Sequence, residues 1–127
     1  MIVSYYANGE TGMEDKKIEI REEEKDRYYF IKAKGYFSST SILEIRKRLE
    51  DALSLGHLKM AMDLSEIQFI DSVGLGLLIN FCRKMKDAGG IFCIVNPSPA
   101  VSNIIHVSGA AKVLDVRQGV TDVNSLF

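Results

Sequence analysis

Two adjacent polar residues, Asp71 and Ser72, lie where a short apolar run gives way to the longest apolar segment of the sequence, residues 75–85. The first turn of a helix has unpaired N–H groups, so a hydroxyl there lies in a field that favours negative charge. Gly74 and Gly76 follow closely and reduce the side-chain bulk near Ser72. The pattern predicts either a simple helix cap or a site for a phosphate or a partner protein.

Other catalytic and metal-binding patterns are missing from the sequence. A serine hydrolase favours Gly-x-Ser-x-Gly around its nucleophile, which residues 69–74 do not supply, and there is no Walker-type phosphate loop. His57 and His106 lie outside any metal-ligand spacing, and Cys82 and Cys93 belong to no CxxC or Cys/His cluster. We therefore expect no enzyme, cofactor or metal site, and we predict that both cysteines are buried in a reducing compartment.

The composition is typical of a globular domain. Hydrophobic residues make up 46% of the 127 residues and charged residues 26%, and 16 basic against 17 acidic side chains give a net charge of −1. This balance argues against non-specific binding to nucleic acid. No signal-peptide pattern opens the sequence, and no run approaches the ~20 apolar residues of a spanning helix. We expect a single cytoplasmic domain without membrane insertion.

Alternating strand and helix signals place the Asp71–Ser72 pair between a strand and a helix. Strands are predicted at 17–21, 28–33, 59–64, 91–95 and 113–116, with a charged turn over 22–27 and an apolar run over 67–70 directly before the pair. Helices are predicted from the hydroxyl cluster 38–41 to about 55, from 72 to about 86, after the Pro-Ser-Pro of 97–99, and in 120–127. The order predicts an α/β fold with a mixed, mostly parallel central sheet and about four helices packed on it.

The segment from Asp63 to Gly76 resembles the signature of the STAS-domain anti-sigma factor antagonists, which are also called anti-anti-sigma factors. The resemblance continues through Gly89-Gly90, the run 96–101 and Ser108-Gly109. It implies a STAS-type single domain over residues 14–127. Residues 1–13 are then expected to be an N-terminal extension or an extra edge strand, because residues 8–12 are turn-like.

The resemblance implies a partner-switching protein rather than an enzyme. Family members bind an anti-sigma factor that is also a serine kinase of the GHKL type, and this kinase phosphorylates the serine after the motif aspartate. Phosphorylation releases the partner, and a separate serine phosphatase restores binding, so that sigma-factor-dependent transcription is regulated. Ser72 is then the phosphoacceptor, and the partner surface comprises Asp71, Val73, Gly74, Gly35, Tyr36, Phe37, Ser38 and Ser39.

Two positions depart from the family pattern. Ser38 stands where an acidic residue often faces the kinase, so Tyr36 and Phe37 are expected to offer an apolar contact instead. Val73 stands where Ser or Thr is commoner, which leaves Ser72 as the only local hydroxyl. An alternative role stays open: a STAS scaffold subunit of a stressosome or an ABC-type lipid transporter, without an obligatory phosphorylation cycle.

Overall fold

A six-stranded mixed sheet organises the computed structural model of the protein, which describes the backbone of residues 2–7 and the whole of residues 18–127. The spatial order of the strands equals their chain order: β1 (Ile2–Ala7), β2 (Ile18–Glu24), β3 (Tyr29–Phe37), β4 (Lys59–Ile70), β5 (Ile91–Val95) and β6 (Asp115–Arg117). β1, β2 and β3 pair antiparallel, whereas β3 to β6 pair parallel. The prediction of a mixed, mostly parallel sheet is confirmed. The predicted boundary between residues 13 and 14 lies outside the described residues.

Three α-helices make the parallel crossovers: α1 (Ile42–Ser54) joins β3 to β4, α2 (Ser72–Asp87) joins β4 to β5, and α3 (Pro99–Ser108) joins β5 to β6. The prediction of about four helices included a terminal helix over 120–127, where the structure has a four-residue 3-10 helix, Val123–Leu126. Gly119, at φ +67°, favours turn backbone just before it. No helix within the described residues is long and apolar enough to cross a membrane.

The core lies between one face of the sheet and the three helices. Alternate strand residues point into it, as expected for a two-residue side-chain period. The strands contribute Ile18, Ile20, Ile31, Ala33, Met60, Met62, Leu64, Phe92 and Ile94. The helices contribute Ile45, Leu49, Leu78, Met85, Val101 and Ile105, each at most 4% exposed. α2 is buried on a wide face that includes Phe81, whose ring packs edge-on against Phe92 at 5.0 Å.

Three strands are longer than the sequence predicts, and one starts later. The last strand, β6, begins two residues later than the predicted strand 113–116, because the N–H groups of Val113 and Leu114 donate to the Ala110 carbonyl of a turn. β2 runs on through residues predicted as a charged turn, because the Glu22 carboxylate is buried and accepts hydrogen bonds from Tyr29 Oη at 2.9 Å and Arg48 Nη1 at 3.1 Å. β3 continues past Gly35, which has φ +112°, and β4 is one unbroken strand. β3 and β4 pair in parallel from Tyr29 and Met60 to Phe37 and Ile70. This pairing explains the extension of both strands, since each provides hydrogen-bond partners for the backbone N–H and C=O groups of the other.

The opposite face of the sheet carries a smaller apolar cluster. Ala61, Cys93 and Val95 are buried there against partly buried side chains of the C-terminal segment, Val120, Val123, Leu126 and Phe127. Asn96 holds this segment through a reciprocal pair: its Nδ2 donates to the Val120 carbonyl at 2.8 Å, and its Oδ1 accepts from the Val120 N–H at 2.9 Å.

Both cysteines are buried, with Cys82 8% and Cys93 1% exposed, and both are free thiols. The predicted burial is confirmed. Burial and, secondly, the neighbouring Asp115 carboxylate raise the pKa of the Cys93 thiol to about 12, because both disfavour the thiolate. Cys93 therefore behaves as a small apolar side chain.

We expect Cys93 to resist alkylation by iodoacetamide at pH 8 in the folded protein. With a pKa far above that pH, roughly one thiol in ten thousand is ionised, and only the thiolate is the nucleophile. Mass spectrometry of tryptic peptides measures the labelling, and protein in guanidinium chloride, where Cys93 reacts, is the control. Rapid labelling of Cys93 in folded protein would contradict its buried position.

Candidate functional site

The site lies at the edge of the sheet where β3 and β4 end together. Phe37 and Ile70, the last residues of these strands, are register partners. The loop 38–41 leaves β3 towards α1, and Asp71 leaves β4 towards α2. The parallel register therefore brings together two segments that lie more than thirty residues apart in the sequence, as is usual at the carboxyl edge of parallel strands.

Asp71 is the N-cap of α2 and also contacts the neighbouring loop. Its Oδ1 accepts a hydrogen bond from the Gly74 N–H at 2.9 Å, and its Oδ2 accepts one from the Ser39 N–H at 3.2 Å. The backbone N–H of Asp71 donates to the Phe37 carbonyl at 3.4 Å. We call the two carboxylate contacts the Asp71 bridge. The bridge shows that the capping role and a role in shaping the surface are held by the same side chain.

Ser72 is the first residue of α2 and is exposed. Within the described part of the chain, no hydrogen bond occupies its hydroxyl, since the cap is supplied by Asp71. Charge placed on this hydroxyl would lie at the positive end of a 16-residue helix. The structure thus separates the two adjacent side chains, with Asp71 used by the fold and Ser72 left accessible.

A groove of about 450 Å³ lies between α1 and α2 beside Ser72. Leu77 and Phe81 form its buried floor, and charged side chains of both helices form its rim, with Lys84 Nζ 2.9 Å from Glu50 Oε2. Arg46 has no ion pair among residues 18–127. The full lining is Arg46, Glu50, Ser72, Val73, Gly76, Leu77, Asn80, Phe81 and Lys84.

Partly exposed apolar side chains flank the Asp71–Ser72 pair. Tyr36 and Phe69 are register partners on β3 and β4, and their rings lie 5.6 Å apart. Phe69 and Val73 are each 45% exposed. We call Tyr36, Phe69 and Val73 the apolar patch. Phe69 belongs to the apolar run before Asp71 and is not among the residues that the sequence predicts for the partner surface; only its pairing with Tyr36 in the sheet distinguishes it.

Two residues expected in the partner surface lie in the interior instead. Phe37 is fully buried, so the expected apolar contact falls to Tyr36 alone. Gly74 is also buried, and its Cα lies close to β3. A Cβ at this position would come within 2.7 Å of the Phe37 carbonyl oxygen and ring and 3.0 Å of Ile70 Cγ1. The small size of Gly74 lets α2 approach β3, rather than clearing space for a partner. Gly76 has open space around its Cα, as expected.

The loop 38–41 forms a turn of its own. Ser38 is 8% exposed, and its hydroxyl lies 2.9 Å from that of Thr40. Ser41 Oγ donates to the Tyr36 carbonyl at 2.9 Å and accepts from the Ser38 N–H at 3.2 Å. Ser39 is exposed, while Gly35 is half-buried within β3. The exposed part of this corner is therefore Ser39 and Thr40, with Tyr36 partly exposed beside them.

Residues 18–123 match the family model described as the STAS domain. The chain belongs to the STAS domain family. A Thermotoga neapolitana protein with the provisional name of an anti-sigma factor antagonist is 23% identical over 73 residues, which are 58% of this chain and 65% of that protein. The matched region of this STAS domain thus spans slightly less than two thirds of that relative's length.

Solved structures resemble this STAS domain over most of its length. An anti-sigma factor antagonist from Mycobacterium paratuberculosis superimposes with a TM-score of 0.73 at 21% identity, covering 85% of this chain and 89% of that one. The antagonist SpoIIAA in its unphosphorylated form gives 0.69 at 22% identity, covering 84% and 92%. The phosphorylated form of SpoIIAA from Bacillus gives 0.65 at 20% identity, covering 84% and 96%. These likenesses establish the fold.

We expect Gly74→Ala to destabilise the STAS domain by about 1–3 kcal/mol, because its methyl group would overlap the Phe37 backbone. Gly76→Ala, two residues along the same helix, is the matched control. It meets open space and should stabilise α2 by about 0.5–1 kcal/mol. Urea denaturation followed by circular dichroism measures both, and equal effects of the two substitutions would contradict the close approach at Gly74.

Proposed function

We propose that this STAS domain is an anti-sigma factor antagonist that binds an anti-sigma factor while Ser72 is unmodified and leaves it when Ser72 is phosphorylated. The observation that carries the proposal is the accessible Ser72 hydroxyl at the N-terminus of α2, which makes no hydrogen bond among residues 18–127 because Asp71 already supplies the cap. The relative and the structural neighbours support it, since they are named as anti-sigma factor antagonists and one of them has been solved in both modification states.

The proposed partner is a serine kinase of the GHKL type. It transfers the γ-phosphoryl group of ATP to Ser72 Oγ: the new O–P bond forms as the bond to the bridging oxygen of ADP breaks, and the hydroxyl proton leaves to a base or water. A serine phosphatase returns the hydroxyl by hydrolysing the phosphate ester. The STAS domain itself then supplies an acceptor and a docking surface, and catalysis resides in its cytoplasmic partners.

The apolar patch explains why a phosphate would break the complex. The phosphoryl group adds roughly −1.5 to −2 charges at neutral pH. Val73 follows Ser72 directly and is half-exposed, so a partner that covers Val73 must also desolvate the modified side chain. The fold tolerates the same charge, because the free N–H groups and dipole of the α2 N-terminus favour an anion. Binding is lost while the domain stays folded.

Phosphorylation by the cognate kinase should depend on Ser72. We expect Ser72→Ala to abolish incorporation from radiolabelled ATP, whereas Ser39→Ala, which removes an exposed hydroxyl on the adjoining loop, should keep it. Incorporation is measured on intact protein by mass spectrometry and by autoradiography. Equal incorporation into Ser72→Ala would overturn the assignment, and unchanged partner binding by fully phosphorylated protein would favour a scaffold role.

The apolar patch should be needed for binding the unmodified protein to its anti-sigma factor. We expect Val73→Glu to weaken the complex about tenfold or more, because an unpaired carboxylate would enter the contact. Val107→Glu is the matched control: Val107 is 70% exposed near the C-terminal end of α3, at the opposite edge of the sheet. Isothermal titration calorimetry measures both affinities. Similar losses for the two variants would argue against contact at this patch.

A further inference from the structure

One side chain connects the phosphoacceptor helix to the loop beside it. Within residues 18–127, the loop 38–41 bonds mainly to itself and to Tyr36, and the Asp71 bridge is its side-chain link to α2. The Oδ1 arm to Gly74 is 2.9 Å long and partly buried, whereas the Oδ2 arm to Ser39 is 3.2 Å long and exposed. The arm that holds the loop is therefore the weaker one.

We propose that Asp71 is a positioning residue that transmits the phosphorylation state of Ser72 to the loop 38–41. In the unmodified protein the Oδ2 arm holds the Ser39 N–H against α2. When Ser72 carries a phosphate, the Asp71 carboxylate turns away from Ser39 and the loop is released. The inference rests on the proposed phosphorylation of Ser72.

The physical cause is the placement of two anions at one helix end. The α2 N-terminus carries roughly half a positive charge. Within residues 18–127 of the unmodified protein, the Asp71 carboxylate is the one anion that caps it. A phosphate on the next residue adds up to about two negative charges and three strong acceptor oxygens. Like-charge repulsion across adjacent residues raises the cost of Asp71's present position. The exposed Ser39 arm gives way first, because water can replace it at little cost.

The consequence is that one modification changes two parts of the proposed partner surface. The phosphate alters the charge beside Val73, and release of Ser39 alters the shape of the neighbouring corner. Residues 38–41 carry no charged side chain, so the backbone conformation of this corner, rather than a fixed charge, is what Asp71 controls.

The test uses protein in which phosphoserine is placed at residue 72 during synthesis, so that no kinase is needed. We expect the Ser39 amide to exchange with solvent about three- to tenfold faster in the phosphorylated protein than in the unmodified one, as measured by NMR. Ser72→Ala should match the unmodified protein. Amides in the centre of β4 report on global stability and should not change.

Asp71→Ser separates capping from the bridge. Serine is also a favourable N-cap, so α2 stays capped, but its shorter side chain cannot also reach Ser39. In this variant we expect fast exchange at Ser39 both with and without phosphate at residue 72. Asp71→Glu, which keeps the charge on a longer side chain, should retain at least part of the response to phosphate.

Two results would overturn the inference. Identical Ser39 exchange in wild-type protein with serine and with phosphoserine at residue 72 would show that the loop does not respond. An equal phosphate-induced increase in Asp71→Ser would show that Asp71 does not transmit it. Neither result depends on an anti-sigma factor, so failure of this coupling is distinguishable from failure of the proposed partner switch.

Discussion

The parallel pairing of β3 with β4 is the constraint on which the rest of the structure depends. It joins the antiparallel half of the sheet to the parallel half, and it runs from Tyr29 and Met60 to Phe37 and Ile70. Both α1 and α2 start from its carboxyl end, so their N-termini and the loops before them must meet there. The site is thus a product of strand register, and a shift of that register by one residue would turn Phe37 and Ile70 away from the core.

Close packing at this edge decides which motif residues are available to a partner. α2 begins directly over Phe37, and the absence of a side chain at Gly74 allows the contact. Asp71 then bonds back to Gly74 and across to Ser39, which leaves Ser72 and Val73 facing solvent. A motif of small and polar residues therefore contains two kinds of position: those that pack and cap, and those that stay accessible.

The accuracy of sequence-based prediction at this site follows the range of the interactions involved. Helix starts depend on local capping, and the start of α2 at Ser72 was predicted correctly. The extent of β2 depends on Tyr29 and Arg48, which pair with the buried Glu22 carboxylate, and a run of charged residues gives no local sign of this. The prediction that Phe37 lies at the surface is wrong for the same reason. Phe37 is buried by contact with Gly74 of α2, more than thirty residues later in the chain, and no local pattern shows this contact.

By itself, the sequence determined the α/β class, the order of the strands and helices, the STAS family and the polar pair at the start of α2. These follow from periodicity, capping residues and a long motif, all of which are local properties of the chain. Only the tertiary structure decided that Asp71 bridges to Ser39, that Phe69 rather than Phe37 is the exposed ring beside Tyr36, and that the Ser72 hydroxyl makes no hydrogen bond within residues 18–127. Each of these depends on the register of two strands, which brings together segments that no local pattern relates.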